Sequence, residues 1–375
     1  MSERKNSERA KGFSLLKIVP SKSRGKLVTV LIPVVFFAVC ALLVNLGVLR
    51  SHFAGLLVPL CYYIIMAVSL NFTVGILGEL SLGHAGFMCI GAYVGGLFTL
   101  LTQDSITSAW IRFPIAILLG GLIAALAGFL IGVPILRLRG DYLAIVTLAF
   151  GEIVRNLVQN IYLSRDKAGL HFSFTNAIEP ERLDPATNVD IMKGPMALNG
   201  ISPDATLLIS VILVVITIIV ILNMVDSRAG RAIMSIRDNR IAAESTGINI
   251  TKYKLIVFSL SAFFAGIAGV LFAHYSTVSP PKFDYNMSIL ILVFVVLGGV
   301  GNIRGSIIAT AILYILPEVL RGFQSYRMLI YAIVLIVMML LNNNERFNAW
   351  KKNTTERLTA WRKGLFRKKS GKEAE

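Results

Sequence analysis

The sequence predicts an all-α integral membrane protein: a polytopic helical bundle of about ten spans, with eight to ten compatible and broken or re-entrant helices among them. Three observations carry that prediction. Hydrophobic residues make up 55% of the 375, and the mean hydropathy is +0.71. Apolar runs close to the roughly 20 residues needed to cross a bilayer recur along the chain. Charged residues are 15% of the total and are sorted by segment. Residues 1–26 carry eight Lys/Arg against two acids (net +6), residues 342–375 ten against four (+6), and residues 226–254 six against three (+3). Residues 163–204 carry four against six (−2). Segregation of this kind is the positive-inside signature, and it puts both basic tails and the 226–254 segment on the cytoplasmic side. The overall +16 is therefore read as charge facing membrane and cytoplasm, with no nucleic-acid footprint.

In chain order, a polar basic tail (1–26) leads into a first span at 27–49. That run is too long for a signal peptide and lacks a small-residue cleavage site, so it reads as an uncleaved anchor. The second span, 53–78, contains Pro59 and Asn71. The segment GELSLGHAGF (78–87) follows and breaks the pattern before a small-residue-rich span at 88–101, where Gly91 and Gly95 stand in the GxxxG relation that permits close helix approach. Span four, 113–136, carries Gly120, Gly121, Gly128 and Gly132. A tight turn with Arg137, Arg139 and Asp141 leads to span five, 142–162, which contains Glu152 and Arg155.

The acidic, proline-containing stretch 163–204 is the long outer loop. Span six is 205–225 and span seven is 255–278, with the basic segment between them. Spans eight (287–297), nine (306–320) and ten (328–341) complete the set, and eight and nine are short enough to be re-entrant. A second glycine-rich break, GGVGNIRG, occupies 298–305. Breaks in corresponding places of the two halves are what a transporter built from repeats presents near its solute path.

Few residues offer chemistry. The three cysteines lie inside apolar runs and the four histidines are scattered, so neither disulfides, metal nor a catalytic constellation is expected. There is no GxxxxGK[ST], so the chain is not expected to hydrolyse nucleotide. Gly299, Gly301 and Gly305 lack the spacing and strand context of a dinucleotide fingerprint. Ionisable groups in or beside the spans are Glu79, Asp141, Glu152, Arg155, Glu318 and Arg321. Desolvating a charge is costly, so each is a functional candidate. The pairs 152/155 and 318/321 have the i, i+3 spacing at which the partners neutralise each other. The solute path is assigned to Glu79, Ser81, Gly83, His84, Glu152, Gly299 and Gly301, with helix capping as the alternative role of Ser81.

The basic segment reads as a helix capped by Asp226 or Ser227 and stopped by Gly247. Ile233, Ile236 and Ile241, with Ala232 and Ala243, form its apolar face. Charge and periodicity leave two readings open: a loop that fixes topology, or a docking helix for a soluble partner.

GELSLGHAGFMCIGAYVGG (78–96), LRLRGDYLAIVTLAFGEIVRN (136–156), GRAIMSIRDNRIAAESTGINITKYKLIVF (230–258) and the run 271–310 resemble, in series, the LivM-type membrane subunit of bacterial branched-chain amino-acid ABC importers. The resemblance spans roughly 53–340. It implies a translocation path for Leu, Ile or Val in the bacterial inner membrane. The implied partners are a second homologous permease, two ATP-binding subunits that use ATP and Mg, and an extracytoplasmic substrate-binding protein. The chain itself would bind no cofactor. In such importers a cytoplasmic coupling helix docks on the ATPase. Here that segment comprises Gly230, Arg231, Ile236, Arg237, Asp238, Asn239, Ala242, Ala243, Glu244 and Gly247. The leading acidic position of the usual importer pattern is Ile241, so no arginine-pairing role is assigned to it. Urea, short amides or other amino acids remain alternative cargoes, and an ion-coupled secondary transporter is the alternative class.

Overall fold

The computed structural model describes residues 21–46, 51–103, 105–136, 138, 140–165, 170–174, 189–198, 200–321 and 326–343. Most of both basic tails, Arg137 and Arg139 lie outside the described residues. Six of the described helices are long and apolar enough to cross a membrane.

The first helix, α1 (Ser21–Asn45), is followed by the short α2 (Ser51–Gly55) and by α3 (Leu57–Asn71). In α3 every residue except Tyr63 is buried. Apolar on all sides, it can only be a core helix. The segment that includes its continuation is 94% buried, against 17% for α1. This contrast sets α3 at the centre and α1 at the lipid-facing edge. From Asn71 the helix widens into a π turn, Phe72–Leu77, which ends where Gly78 takes a left-handed φ of 82° and donates its N–H to the Thr73 carbonyl.

Three helices form a unit beside this centre: α4 (His84–Thr102), α5 (Ala109–Ile135) and, later, α10 (Ile250–Ala273), of which α10 packs on α3. Their glycines let backbone meet backbone. A Cβ on Gly91 would stand 2.1 Å from the Gly266 carbonyl oxygen, and one on Gly269 would stand 2.0 Å from that of Met88. Gly266 faces the Gly120 carbonyl on α5 in the same way. The small-residue runs are thus the contact surface of one three-helix unit, held by dispersion between closely approaching backbones.

Helix α6 (Asp141–Gln159) is shorter than the span expected at 142–162. Asn160 ends it, and strand β1 (Ile161–Arg165) begins at once. With β2 (Leu170–Phe174) and β3 (Val189–Lys193) it forms an antiparallel sheet in the order β2-β1-β3. The segment expected as a plain loop therefore contains a small sheet. Alternation such as Leu170, Phe172 and Phe174 was present there, but was masked by the surrounding prolines and charges.

After α7 (Leu207–Asp226) the basic segment is two helices, α8 (Arg228–Asp238) and α9 (Arg240–Ser245). Ser227 caps the first by accepting from Gly230 N–H. Asn239 leaves helical geometry and caps the second by accepting from Ala242 N–H. Gly247, at φ 82°, terminates it. Asn249 then starts α10 by accepting from Lys252 N–H, so the seventh apolar helix begins five residues earlier than the sequence expectation. Lys252 and Lys254 belong to its first turn.

A 3-10 turn at Pro280–Phe283 leads to α11 (Tyr285–Gly298), whose first turn is capped by Asp284. Then come α12 (Ile303–Val319) and α13 (Arg327–Asn343). The chain divides at Ala311 into two compact units, and the contacts described below all lie in the first. In the second, Arg321 pairs with Glu318 at 3.2 Å, as the i, i+3 spacing predicts.

At the end of the bundle opposite the basic segment, buried polar groups tie the helix ends together. Arg112 reaches Asp204 at 2.9 Å and Ser202 at 3.0 Å. His274 donates from Nδ1 to the Val270 carbonyl, which leaves Nε2 to accept from Thr99.

The backbone contact at Gly269 generates a direct prediction. Gly269→Leu should force α10 from α4 and lower the melting temperature in detergent sharply, since such overpacking costs about 1–3 kcal/mol or more. Gly247→Asn, at a left-handed position with open space beside it, should change it little. Equal melting temperatures for the two variants would contradict this packing.

Candidate functional site

The π turn that leads into the first glycine-rich break meets the second break, far away in sequence, beneath the basic helices. A Cβ on Gly75, in the π turn, would fall 2.1 Å from the Gly301 nitrogen. Only glycine permits that approach. Asn71 fastens the contact from the last turn of α3. Its Oδ1 accepts from Gly301 N–H at 2.8 Å and its Nδ2 donates to Ser306 Oγ at 2.8 Å. Gly299 and Gly301 both have positive φ, 96° and 82°, which lets the 298–302 loop turn back onto the π turn. Gly298 and Gly305 close the base of this loop, backbone against backbone.

Arg237, near the end of α8, covers this junction. Its Nη1 donates to the Gly75 carbonyl at 3.1 Å, while Nε and Nη2 donate to Asp238 Oδ1 at 3.1 and 2.9 Å. Its side-chain methylenes lie over Gly78, where an added Cβ would come within 2.6 Å of Cγ. A π turn leaves carbonyls poorly matched within the helix, and the guanidinium supplies the charged donor that Gly75 accepts. One side chain of the basic segment therefore touches the first break and stands beside the second.

The remaining residues of this segment divide into two sets. Ile236 and Ala243 form a small core with Ile250, against which Ile248 and Tyr253 pack. Gly230 is buried against the Val225 carbonyl. These three therefore hold the helix pair to the bundle and present no surface. Ile241, expected on the same apolar face as Ile233 and Ile236, is instead 81% exposed. The break at Asn239 rotates α9 and turns Ile241 outward. Arg231, Asp238, Asn239, Ala242, Glu244 and Gly247 are exposed with it.

The residues assigned to the solute path are each held by different contacts. Glu79, half-buried, forms an ion pair with Lys254, whose residue exposure is 1%. His84 Nε2 lies 2.8 Å from Ser69 Oγ in the interior. Gly83 packs on the Thr147 carbonyl, and Thr147 Oγ1 accepts from Leu82 N–H. The start of α4 is completed by Ser288, which accepts from Ala85 N–H. Ser81 keeps a buried hydroxyl with no partner, as does Thr73 in the π turn, so the capping role considered for Ser81 is not the one it has. Glu152 pairs with Arg155 at 2.6 Å and also accepts from Tyr285 N–H at the start of α11. Gly301 lines a cavity of about 300 Å³ beside Arg237, with both polar and apolar walls. Among the described residues no cluster of three or more His, Cys, Asp or Glu could hold a metal ion.

Sequence reasoning missed Asn71 as the clamp, Lys254 as the partner of Glu79, and Arg112 with Asp204. A buried Asn in the last turn before a glycine break is a signal that could have found the first. Lys254 and Arg112 sit at the ends of apolar runs, where a charge ordinarily reads as an anchor at the membrane surface.

Comparison with known proteins follows from this architecture. Residues 52–341 match the family described as branched-chain amino acid transport system / permease component. The chain is 38% identical over 289 residues to the high-affinity branched-chain amino acid transport system permease protein LivM of Salmonella typhimurium, covering 74% of this chain and 66% of that protein. It is 39% identical over 286 residues to LivM of Escherichia coli K12, with the same coverages. LivH of Salmonella typhimurium is 24% identical over 289 residues, 74% of this chain and 89% of its own. The matched stretch thus spans just under two thirds of the length of the two LivM relatives. No solved structure matches the chain. With the family match covering the whole of the spans from α3 onward, the chain belongs to the permease-component family of branched-chain amino acid transport systems.

Proposed function

We propose that this chain is the membrane subunit of an ATP-driven, binding-protein-dependent importer and forms part of the path for leucine, isoleucine and valine. Family membership and the two LivM relatives support the cargo. The observation that carries the mechanism is the Arg237 bridge: an outward-facing helix pair is bonded directly to the junction of two broken helices. In this reading the chain sits in the bacterial inner membrane with about ten crossings and with both termini and the α8–α9 pair in the cytoplasm, as the positive-inside rule requires.

The partners are a second, homologous permease, two subunits that bind and hydrolyse ATP with Mg, and an extracytoplasmic binding protein. The chain itself binds no nucleotide. The exposed side of α9, with Ile241, Ala242 and Glu244, is the surface for the ATPase. Ile236 and Ala243 make the pair stiff enough to transmit a push. Arg237 delivers it to Gly75 and the adjoining Gly301, so that the helix pair and the junction move together. The Glu79–Lys254 ion pair closes the same end of the bundle. Parting it would leave the nearly inaccessible Lys254 ammonium without its partner, so a state that parts it must be driven. The few charges within the spans suit a zwitterion carrying an aliphatic side chain.

Two experiments test this reading. In a strain lacking the chain, its restoration should recover uptake of labelled leucine, isoleucine and valine but not of urea; recovery of urea alone would overturn the cargo. Within the purified complex, Ala242→Trp should abolish co-purification of the ATPase. Arg237→Ala should leave ATPase association and hydrolysis intact while lowering uptake about tenfold or more, the loss expected of one charge-assisted bond worth about 1.5–3 kcal/mol. Arg237→Lys, which keeps charge but loses the planar fork, should fall between. If Arg237→Ala transports normally, the bridge is not the coupling element.

A further inference from the structure

Between α5 and α10, at the same end of the bundle as the basic helices, lies an open groove of about 420 Å³. Ala125 and Phe129 of α5 and Leu255, Ser259, Leu260 and Phe263 of α10 line it. Ser259 is the one polar residue among the described lining, and its hydroxyl is buried away from the opening. The α5 flank of the groove is Leu118, Leu122, Leu126, Leu130 and Val133, all exposed. Among the exposed positions of this helix there is no Gly, Ala, Ser, Thr or charged residue. Its glycines point the other way: Gly120 onto Gly91 and Val270, Gly128 onto Ala262, Gly132 onto Leu255 and Phe258. Membrane helices associate through small and polar residues. This outer face therefore suits acyl chains and offers no seat for another helix.

The groove also has a place for a headgroup. Spacings of i, i+4, i+7 and i+11 set Lys252, Ile256, Ser259 and Phe263 on one face of α10. Lys252 thus stands about 6 Å beyond the groove along the helix axis, and it is exposed. No acid among the described residues pairs with it. At the far end of α5 the exposed Trp110 marks the opposite membrane surface, as interfacial aromatics do. A lysine at such a surface lays its methylenes on apolar neighbours and extends its ammonium into the polar layer. We propose that the groove between α5 and α10 holds one acyl chain of a phospholipid whose phosphate is bound by Lys252. Such a lipid would brace α5 against α10 from the membrane side, whichever solute the chain carries.

The test uses the full chain purified in detergent, incubated with phosphatidylglycerol, diacylglycerol of the same chains or inorganic phosphate, and analysed by native mass spectrometry. One phosphatidylglycerol should survive activation that strips the remaining lipid. Diacylglycerol should be shed, and inorganic phosphate should not displace the lipid. Ala125→Phe, which fills the groove, should remove this adduct. Leu118→Phe, on the same face of α5 but outside the groove, should keep it. Lys252→Ala should lower it about fivefold, the equivalent of about 1 kcal/mol for the lysine lost, and Lys252→Arg should retain it. Lys252 is on the surface, so its variants decide the point even if Ala125→Phe unfolds the chain. Retention in Ala125→Phe at an unchanged melting temperature, or equal loss in Leu118→Phe, would overturn the groove. Equal retention of diacylglycerol, displacement by phosphate, or an unaltered adduct in Lys252→Ala would overturn the headgroup contact. Loss of the homologous permease from the complex in Ala125→Phe, with the lipid retained, would assign the groove to a subunit and overturn the lipid.

Discussion

The contact on which the rest of the structure depends is the backbone approach of Gly75 to Gly301. It requires two glycines, a π turn on one side and two left-handed residues on the other. Asn71 holds it from below with both atoms of its amide. Arg237 holds it from above through the Gly75 carbonyl. Nothing apolar could replace these bonds. Buried backbone groups freed by a helix break need polar partners, and inside a membrane protein the surrounding protein must provide them. The three-helix unit of α4, α5 and α10 gives this junction a rigid support, because closely approaching backbones leave no slack to absorb a displacement.

How much of this was legible in the sequence follows from which signals are local. Apolar runs and their caps were readable, because burial and hydrogen bonding along one helix impose their own spacing. The two breaks were readable as breaks, and the glycine faces as contact surfaces. That the turn before the first break meets the second break was not readable. Contact between residues 75 and 301 depends on how intervening helices cross, and no periodicity encodes a crossing. Span edges moved for a related reason. Asn249 and Asn239 are ordinary-looking polar residues whose side chains start helices, so α10 begins early and the basic helix divides in two. The sheet at 161–193 was lost among prolines and charges. Ile241 shows the cost of treating 226–254 as one continuous helix: a single non-helical residue at Asn239 turns it to the outside.

The candidate site was partly legible. Arg237, Glu244 and Ala242 were singled out, and the structure leaves them on or near the surface of the basic end. Gly230, Ile236 and Ala243 were singled out too, yet they are internal and serve the helix pair itself. Among the ionisable groups, the sequence offers Glu79 without its partner. Lys254 stands 175 positions away and is nearly inaccessible to solvent, an arrangement that only the folded chain reveals. Glu152 pairs with Arg155, as the i, i+3 spacing suggests, and also accepts from Tyr285 N–H, a contact the spacing does not indicate.

The central claim is that the basic helix pair and the two glycine breaks move as one body. It is tested most directly by pulsed electron resonance distances between spin labels at Ala242 and Val300, both exposed. The complex would be compared nucleotide-free and trapped with a non-hydrolysable ATP analogue. An unchanged distance distribution in the native chain, shifting or broadening on trapping once Arg237→Ala is introduced, is the result this account predicts. A shift on trapping in the native chain, or identical behaviour with and without Arg237, would contradict it.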